Sequence, residues 1–312
     1  PITHSHRSVE SSFEQTPHDN ADTAHHVRDT AHTRQHRTNR GVATMSETPQ
    51  RFDAEDANED ASEEQMPVTT GAQSIAAALE NLGVEVMFGV QGGAIMPVYD
   101  ALFDASIPHI TMAHEQGAAH AADAYGIVSG RPGVCLATSG PGATNLVTGI
   151  ADANMDSDPL IALTGQVPTE MVGNDAFQET DTTGVTSPIT KANFFADSPD
   201  TVGDDVGTAF ALARSGRQGP TLVDLPKDVT LGDTDVEPGE AELPDTYHPE
   251  ESADPENVEA AAEALARAEK PVILAGGGVI KADASPELRQ FAMEHEIPVI
   301  TTMPGIGSFP ED

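Results

Sequence analysis

The chain has 312 residues, room for about two domains at roughly 150 residues each, and 38% hydrophobic positions from which to build their cores. Fifty-one acidic residues face 15 basic ones, and a formal charge of −36 argues against nucleic acid and against an anionic membrane as partners. A single cysteine, Cys135, leaves no internal disulfide, and no run approaches the ~18 apolar residues of a membrane span, so a cytoplasmic protein is expected.

In chain order, residues 1–44 come first. They hold five acidic and five basic residues and seven of the twelve histidines, begin without methionine, and show no apolar period. A histidine-rich metal-binding tail fits this composition. So does an unstructured leader, or translated sequence upstream of a start at Met45, and residues 45–66 are again acidic and polar. A disordered leader over residues 1–68 is therefore expected. From Met45 onward only Lys191, Lys227, Lys270 and Lys281 represent lysine among 46 acidic residues. Self-repulsion of that density is relieved in molar salt, where the Debye length falls to about 3 Å, and a halophilic host is expected. The melting temperature should then rise as KCl goes from low to molar concentration; a fall on the same titration rejects that reading.

Order begins near Thr69. Helices are predicted over 71–82, after Gly93, and over 116–128, 143–154 and 202–214. Strands are predicted over 84–88, 109–112, 134–137, 160–164 and 221–225, with a long loop after Gln166. Short apolar strands separated by helices specify a doubly wound parallel sheet covered on both faces, an α/β domain over 69–230. Residues 231–256 carry four prolines and ten acidic residues without an apolar period and read as an acidic linker. A second, Rossmann-like α/β unit then opens over 257–312: helix 258–268, strand 271–275, the turn Gly276 to Gly278, helix 286–295 and strand 298–302. Too few strands follow to complete a sheet, so a fragment of a longer protein is expected.

Four segments carry chemistry. Residues 113–125 (AHEQGAAHAADAY) put Glu115 where a strand gives way to a helix. His114 and His120 are six apart and fall on different helical faces, which does not make the His-x-x-x-His pair of a zinc site, and no metal ligand is assigned. Glu115 either stabilises the positive helix N-terminus or acts as a catalytic carboxylate at the C-terminal end of a strand, where open α/β sheets bind ligands; spacing alone leaves both open. Residues 138–145 (TSGPGATN) and 88–97 (FGVQGGAIMP) are strand–glycine turn–helix units. Neither has the ending of a Walker loop or the third glycine of G-x-G-x-x-G, and the bland alternative is that their glycines only permit close packing. Residues 175–179 (DAFQE) lie in the long loop, which is uncommon in a compact domain unless functional. Cys135, Met112 and Tyr125 read as packing residues.

These segments, with TGQVP (164–168) and RQGPTLVDLPKDV (217–229), resemble the large catalytic subunit of acetolactate (acetohydroxyacid) synthase, a thiamine-diphosphate enzyme, from about Val68 to Asp312. The resemblance implies the pyrimidine-binding domain followed by part of a central FAD-binding domain. It implies that Glu115 shares a proton with the aminopyrimidine ring of the cofactor, that Gly92 and Gly93 lie beside its reactive carbon, and that Gln178 contacts it. Phe177, Lys191 and Lys227 would line the substrate channel. Ser157, Arg217, Gly277, Gly278, Thr302 and Gly305 would touch a structural FAD. Pyruvate and 2-oxobutyrate would be the substrates, and a homodimer or homotetramer with a small regulatory subunit the assembly.

Three departures stand out. Gln91 replaces the family's proline before the two glycines, and Ala124, Gly126 and Ile127 alter its G-Y-A-R ending. The G-D-G followed by asparagine that holds Mg²⁺ and the diphosphate in that family is absent from the sequence, so the Mg²⁺ ligands would lie elsewhere and this segment alone would be inactive. Alternatives are another thiamine-diphosphate decarboxylase or carboligase, and a non-catalytic α/β nucleotide-binding or dimerisation module.

Overall fold

The computed structural model describes residues 68–250 and 252–310. The predicted leader therefore lies, apart from Val68, outside the described residues. The first part of the fold is a six-stranded, all-parallel sheet of order β2-β1-β3-β4-β6-β5. Its strands are β1 (Met87–Gly89), β2 (His109–Thr111), β3 (Gly133–Ala137), β4 (Leu160–Gln166), β5 (Ala192–Phe195) and β6 (Pro220–Pro226). Helices α1 (Gly71–Asn81), α2 (Met96–Asp104), α3 (Glu115–Ser129), α4 (Pro141–Asp156), α5 (Thr182–Thr186), α6 (Val202–Arg214) and α7 (Lys227–Leu231) connect them.

The period-2 alternation of the central strands fills two cores. Val134, Leu136, Ile161, Leu163, Val223 and Leu225 face one side, where they pack with Ile75 and Leu79 of α1, Val98 of α2, and Val206 and Phe210 of α6. Cys135, Ala137, Leu160, Ala162 and Leu222 face the other side and meet Ala118, Ala119 and Ala122 of α3 and Leu146 and Ile150 of α4. The second core is built from small residues, so its helices approach closely. A Cβ on Gly149 would stand 2.5 Å from the Ala119 Cβ, and one on Gly133 would stand 1.9 Å from the Ala122 carbonyl oxygen.

Two differences from the predicted elements have physical causes. The strand predicted over 84–88 begins only at Met87, because the Val84 N–H closes the end of α1 on the Leu79 carbonyl and Glu85 is drawn to Arg131 Nη1 (2.7 Å) and the Tyr125 hydroxyl (2.7 Å). The predicted long loop contains α5 and the edge strand β5, whose half-exposed ANFF lacks the continuous apolar run of the buried strands. Further on, Asp233 bridges to Thr70 and the Gly239 N–H donates to Asp204 Oδ1 at 2.7 Å, so the start of the acidic segment is pinned to the first sheet's helices. The remaining elements are α8 (Pro255–Arg267), β7 (Ile273–Ala275), α9 (Gly278–Lys281), α10 (Ser285–Glu294) and β8 (Val299–Thr301), with β7 and β8 paired in parallel. No helix among the described residues is long and apolar enough to cross a membrane.

Candidate active site

From β1 the chain runs outward to β2, then returns across β1 to lay down β3 on its other side. Loops leaving the C-terminal ends of β1 and β3 therefore diverge and leave a crevice, the place where open α/β sheets bind ligands. The two glycine turns form its walls. A Cβ on Gly92 would come within 2.4 Å of the Thr138 Cβ, and the Ala94 N–H donates to Thr138 Oγ1 at 3.2 Å, so the turns touch and only glycine fits at 92. Gly93 has no neighbour within 4 Å of its Cβ direction and leaves its backbone open.

Glu115 is the first residue of α3, and His114 caps that helix by accepting the Gln116 N–H on Nδ1 at 3.1 Å. The Glu115 side chain is half-buried and reaches the first turns of α4, where its Oε2 accepts from Asn145 Nδ2 at 2.9 Å. Its Oε1 lies 3.5 Å from where a Gly142 Cβ would stand, so the missing side chain makes room for the carboxylate. The carboxylate thus sits at a helix N-terminus and also borders the crevice.

The loop after β4 closes the same region. Gln178 has φ 58°, and its carbonyl oxygen would be 2.5 Å from a Cβ on Gly140, whose own φ is 57°. The Glu179 carboxylate gathers the Gly173 and Ala176 N–H groups, the latter at 2.7 Å, and these hydrogen bonds hold its pKa below the usual carboxylate range. Deeper, Gln166 Nε2 donates to the Thr180 carbonyl (2.8 Å) and to Asp224 Oδ2 (2.9 Å), while Thr164 Oγ1 donates to Asp224 Oδ1 (2.7 Å). Asp224 is fully buried on β6, and burial pushes its carboxyl up to about 7 against the hydrogen bonds from Thr164 and Gln166. This buried network ties the Gln178 loop to the sheet.

The structure brings Glu115, Gly92, Gly93 and Gln178 to one sheet edge. Phe177 is 86% exposed next to Gln178, and Lys227 opens α7 at the end of β6 on that same edge. Lys191 is not among them. It precedes β5 at the opposite, N-terminal edge, where its ammonium donates to the carbonyls of Leu212 (2.6 Å) and Ser215 and lies 5.2 Å from the Tyr247 ring centroid. There it adds a cationic donor to the carbonyls at the C-terminus of α6, where a positive charge is favourable. Thr138 and Asn145, the two ends of the TSGPGATN segment, take part in the site individually. Asn145 stands one helical turn beyond Gly142, and that spacing was the available signal.

A second group gathers around a cleft of about 520 Å³ lined by Ser157, Arg217, Gly277, Gly278, Arg214 and Lys281. Arg217 donates through Nε to Ser157 Oγ (2.8 Å) and through Nη2 to the Asn154 carbonyl (3.1 Å), and Lys281 Nζ pairs with Asp158 Oδ1 at 2.8 Å. Thr302 and Gly305 lie behind the glycine turn. The Gly305 N–H donates to the Thr302 carbonyl at 2.9 Å, and a Cβ on Gly305 would be 2.4 Å from the Ala275 carbonyl oxygen.

Residues 69–185 match the family described as thiamine pyrophosphate enzyme, N-terminal TPP binding domain, and residues 258–312 match the central domain of the same enzymes. This chain belongs to the thiamine pyrophosphate enzymes. It is 53% identical over 246 residues to a probable acetolactate synthase large subunit of Methanocaldococcus jannaschii, covering 78% of this chain and 42% of that protein. It is 51% identical over 244 residues to the acetolactate synthase large subunit of Corynebacterium glutamicum, covering 78% and 39%. The corresponding protein of Parasynechococcus marenigrum is 46% identical over 250 residues, covering 78% and 40%. The chain thus spans about two fifths of the length of these relatives. Glu115, the two glycine turns and Gln178 all fall inside the matched thiamine pyrophosphate-binding domain, and Gly277, Gly278, Thr302 and Gly305 inside the central domain.

Proposed function

We propose that the chain serves as the catalytic large subunit of an acetolactate synthase, condensing two pyruvates, or pyruvate with 2-oxobutyrate, with loss of CO₂, the first common step toward valine, leucine and isoleucine. One observation carries this reading. A half-buried carboxylate held by Asn145 borders a glycine-walled crevice at the sheet's switch point, in a chain half identical to proteins of that name.

The residues fit the cofactor. One Glu115 oxygen is held by Asn145, and the backbone at Gly93 is open to a flat ring. Thiamine diphosphate, when bound, supplies the electron sink that decarboxylates a 2-oxo acid and joins its remainder to a second one. Glu115 would hold and pass a proton at a ring nitrogen of the aminopyrimidine. Asn145 keeps that carboxylate aimed, Gly92 and Gly93 admit the cofactor without steric cost, and Gln178 lies across the mouth on a loop fixed by Gln166 and Asp224. Lys227, on the same edge, would attract the anionic 2-oxo acid and Phe177 would shield it from water.

The second cleft fits an anionic dinucleotide. Arg214, Arg217 and Lys281 line it, three of the ten basic residues that follow Met45, and two glycines bare its backbone. FAD held by Ser157, Arg217, Gly277 and Gly278, with Thr302 and Gly305 supporting the turn, is our reading of it. No residue of this chain is assigned to Mg²⁺. The relatives' designation as large subunits supports a small regulatory partner, and a homodimer or homotetramer is the proposed assembly. Product analysis of the complete enzyme supplied with pyruvate tests the reading. Acetolactate is the expected product, and acetaldehyde alone overturns it.

A further inference from the structure

A cluster on the far side of α3 has no part in the crevice. His120 and Asp123 are three residues apart and share one face of α3, the spacing at which helical side chains are neighbours. Asp152 on α4 meets them across the helix pair. One ligating atom of each lies within 4.8 Å of the others, and His120 Nδ1 stands 3.6 Å from Asp152 Oδ2. Asp123 is 6% exposed, and its buried Oδ1 has no hydrogen-bond partner among the described residues.

A buried carboxylate oxygen without a partner is costly unless something compensates it. The surroundings supply no counter-charge, because the neighbouring Asp152, Asp156 and Asp158 are all carboxylates. Lys281 Nζ, at 2.8 Å from Asp158 Oδ1, is already committed to Asp158 and to the Asp156 carbonyl. Around Asp123 there is thus a deficit of positive charge, flanked by an imidazole and a second carboxylate.

We propose that His120, Asp123 and Asp152 bind one divalent transition-metal ion that clasps α3 to α4. Metal–ligand bonds of about 2.0–2.2 Å hold ligand pairs near 3.0–3.5 Å apart, so the His120–Asp152 pair is already close to span and Asp123 has only to close in. One imidazole with two carboxylates suits Mn²⁺ or Zn²⁺ better than Mg²⁺ or Ca²⁺, which prefer oxygen alone. Half-exposed His120 and Asp152 leave an entry path, and Asp123 supplies the anchored inner ligand. The site lies five residues beyond Glu115, roughly 7.5 Å along the helix axis, and shares no residue with the crevice.

The test uses the full chain stripped of metal and titrated with Mn²⁺, free ion being counted by electron paramagnetic resonance. His120→Ala and Asp152→Asn change half-exposed positions and should fold normally. Wild type is expected to bind one equivalent of Mn²⁺ that each variant binds at least about 100-fold more weakly. The histidines of residues 1–44 are common to all three proteins and cancel in the comparison. Zn²⁺ should raise the melting temperature of wild type and not of His120→Ala. Equal counts and equal affinity in wild type and both variants overturn the site; a Zn²⁺ response that survives in both variants also overturns it.

Discussion

Replacing Glu115 by glutamine in the complete enzyme is expected to lower turnover by about 10²–10⁴-fold, the usual share of a positioned general acid–base group. The fold should not change. Glutamine is isosteric, its carbonyl oxygen can accept the Asn145 amide in place of Oε2, and among the described residues Glu115 makes no other side-chain hydrogen bond. The lost quantity is the exchangeable proton: an amide can donate a hydrogen bond to a ring nitrogen but cannot give the proton up and take it back. Calorimetric titration with thiamine diphosphate should therefore show binding retained within about tenfold, since one proton-sharing contact is worth on the order of 1.4 kcal/mol beyond a neutral hydrogen bond. Near-normal turnover would remove the proton-relay role. Loss of binding and turnover together would reduce Glu115 to an anchor. Asn145→Ala should produce a milder fall in turnover, because Asn145 acts only by aiming the carboxylate.

Much of this arrangement is legible before any coordinates. Short apolar runs such as 134–137 and 160–164, set between helical stretches, read as strands covered on both faces, and in the fold their alternate residues face the two cores. The position of Glu115 followed from the change of period at Ala113, and the glycine turns declared themselves by composition. What stayed hidden depends on contacts distant in sequence. The edge strand β5 has no apolar run, because one side of it has no strand to pair with. Asp224 gives no signal of its own, since a carboxylate inside LVDLP acquires its partners Thr164 and Gln166 from a strand about sixty positions earlier. Lys191 shows the converse. Rarity of lysine made it conspicuous, yet its ammonium is spent on the end of α6. His120 and His114 are the histidines close in sequence, yet the neighbours of His120 in space are Asp123 and Asp152.

Gly133→Ala should be the most damaging single-methyl change in the described fold, and it reports on how α3 is placed. Gly133 does not have a positive φ, so alanine is conformationally acceptable there and the whole penalty is steric. The added Cβ would lie 1.9 Å from the Ala122 carbonyl oxygen, 2.5 Å from its carbon and 2.8 Å from its Cα, all backbone atoms of the middle of α3. No rotamer change relieves such a contact, so α3 must move off β3 or the strand must leave the sheet. Overpacking of this kind costs at least about 3 kcal/mol, a fall of roughly 6–12 °C in melting temperature for a domain of this size. Gly130→Ala is the control three residues earlier. It has φ 68° and open space around it, so it should cost only about 1 kcal/mol through the left-handed backbone. The two variants separate packing from conformation, and packing links to chemistry. A displaced α3 carries Glu115 away from Asn145 and Gly142, so Gly133→Ala should lose thiamine diphosphate affinity even below its melting temperature, whereas Gly130→Ala should keep it. Equal stability of the two variants would mean that α3 is not seated on β3 as closely as these distances require.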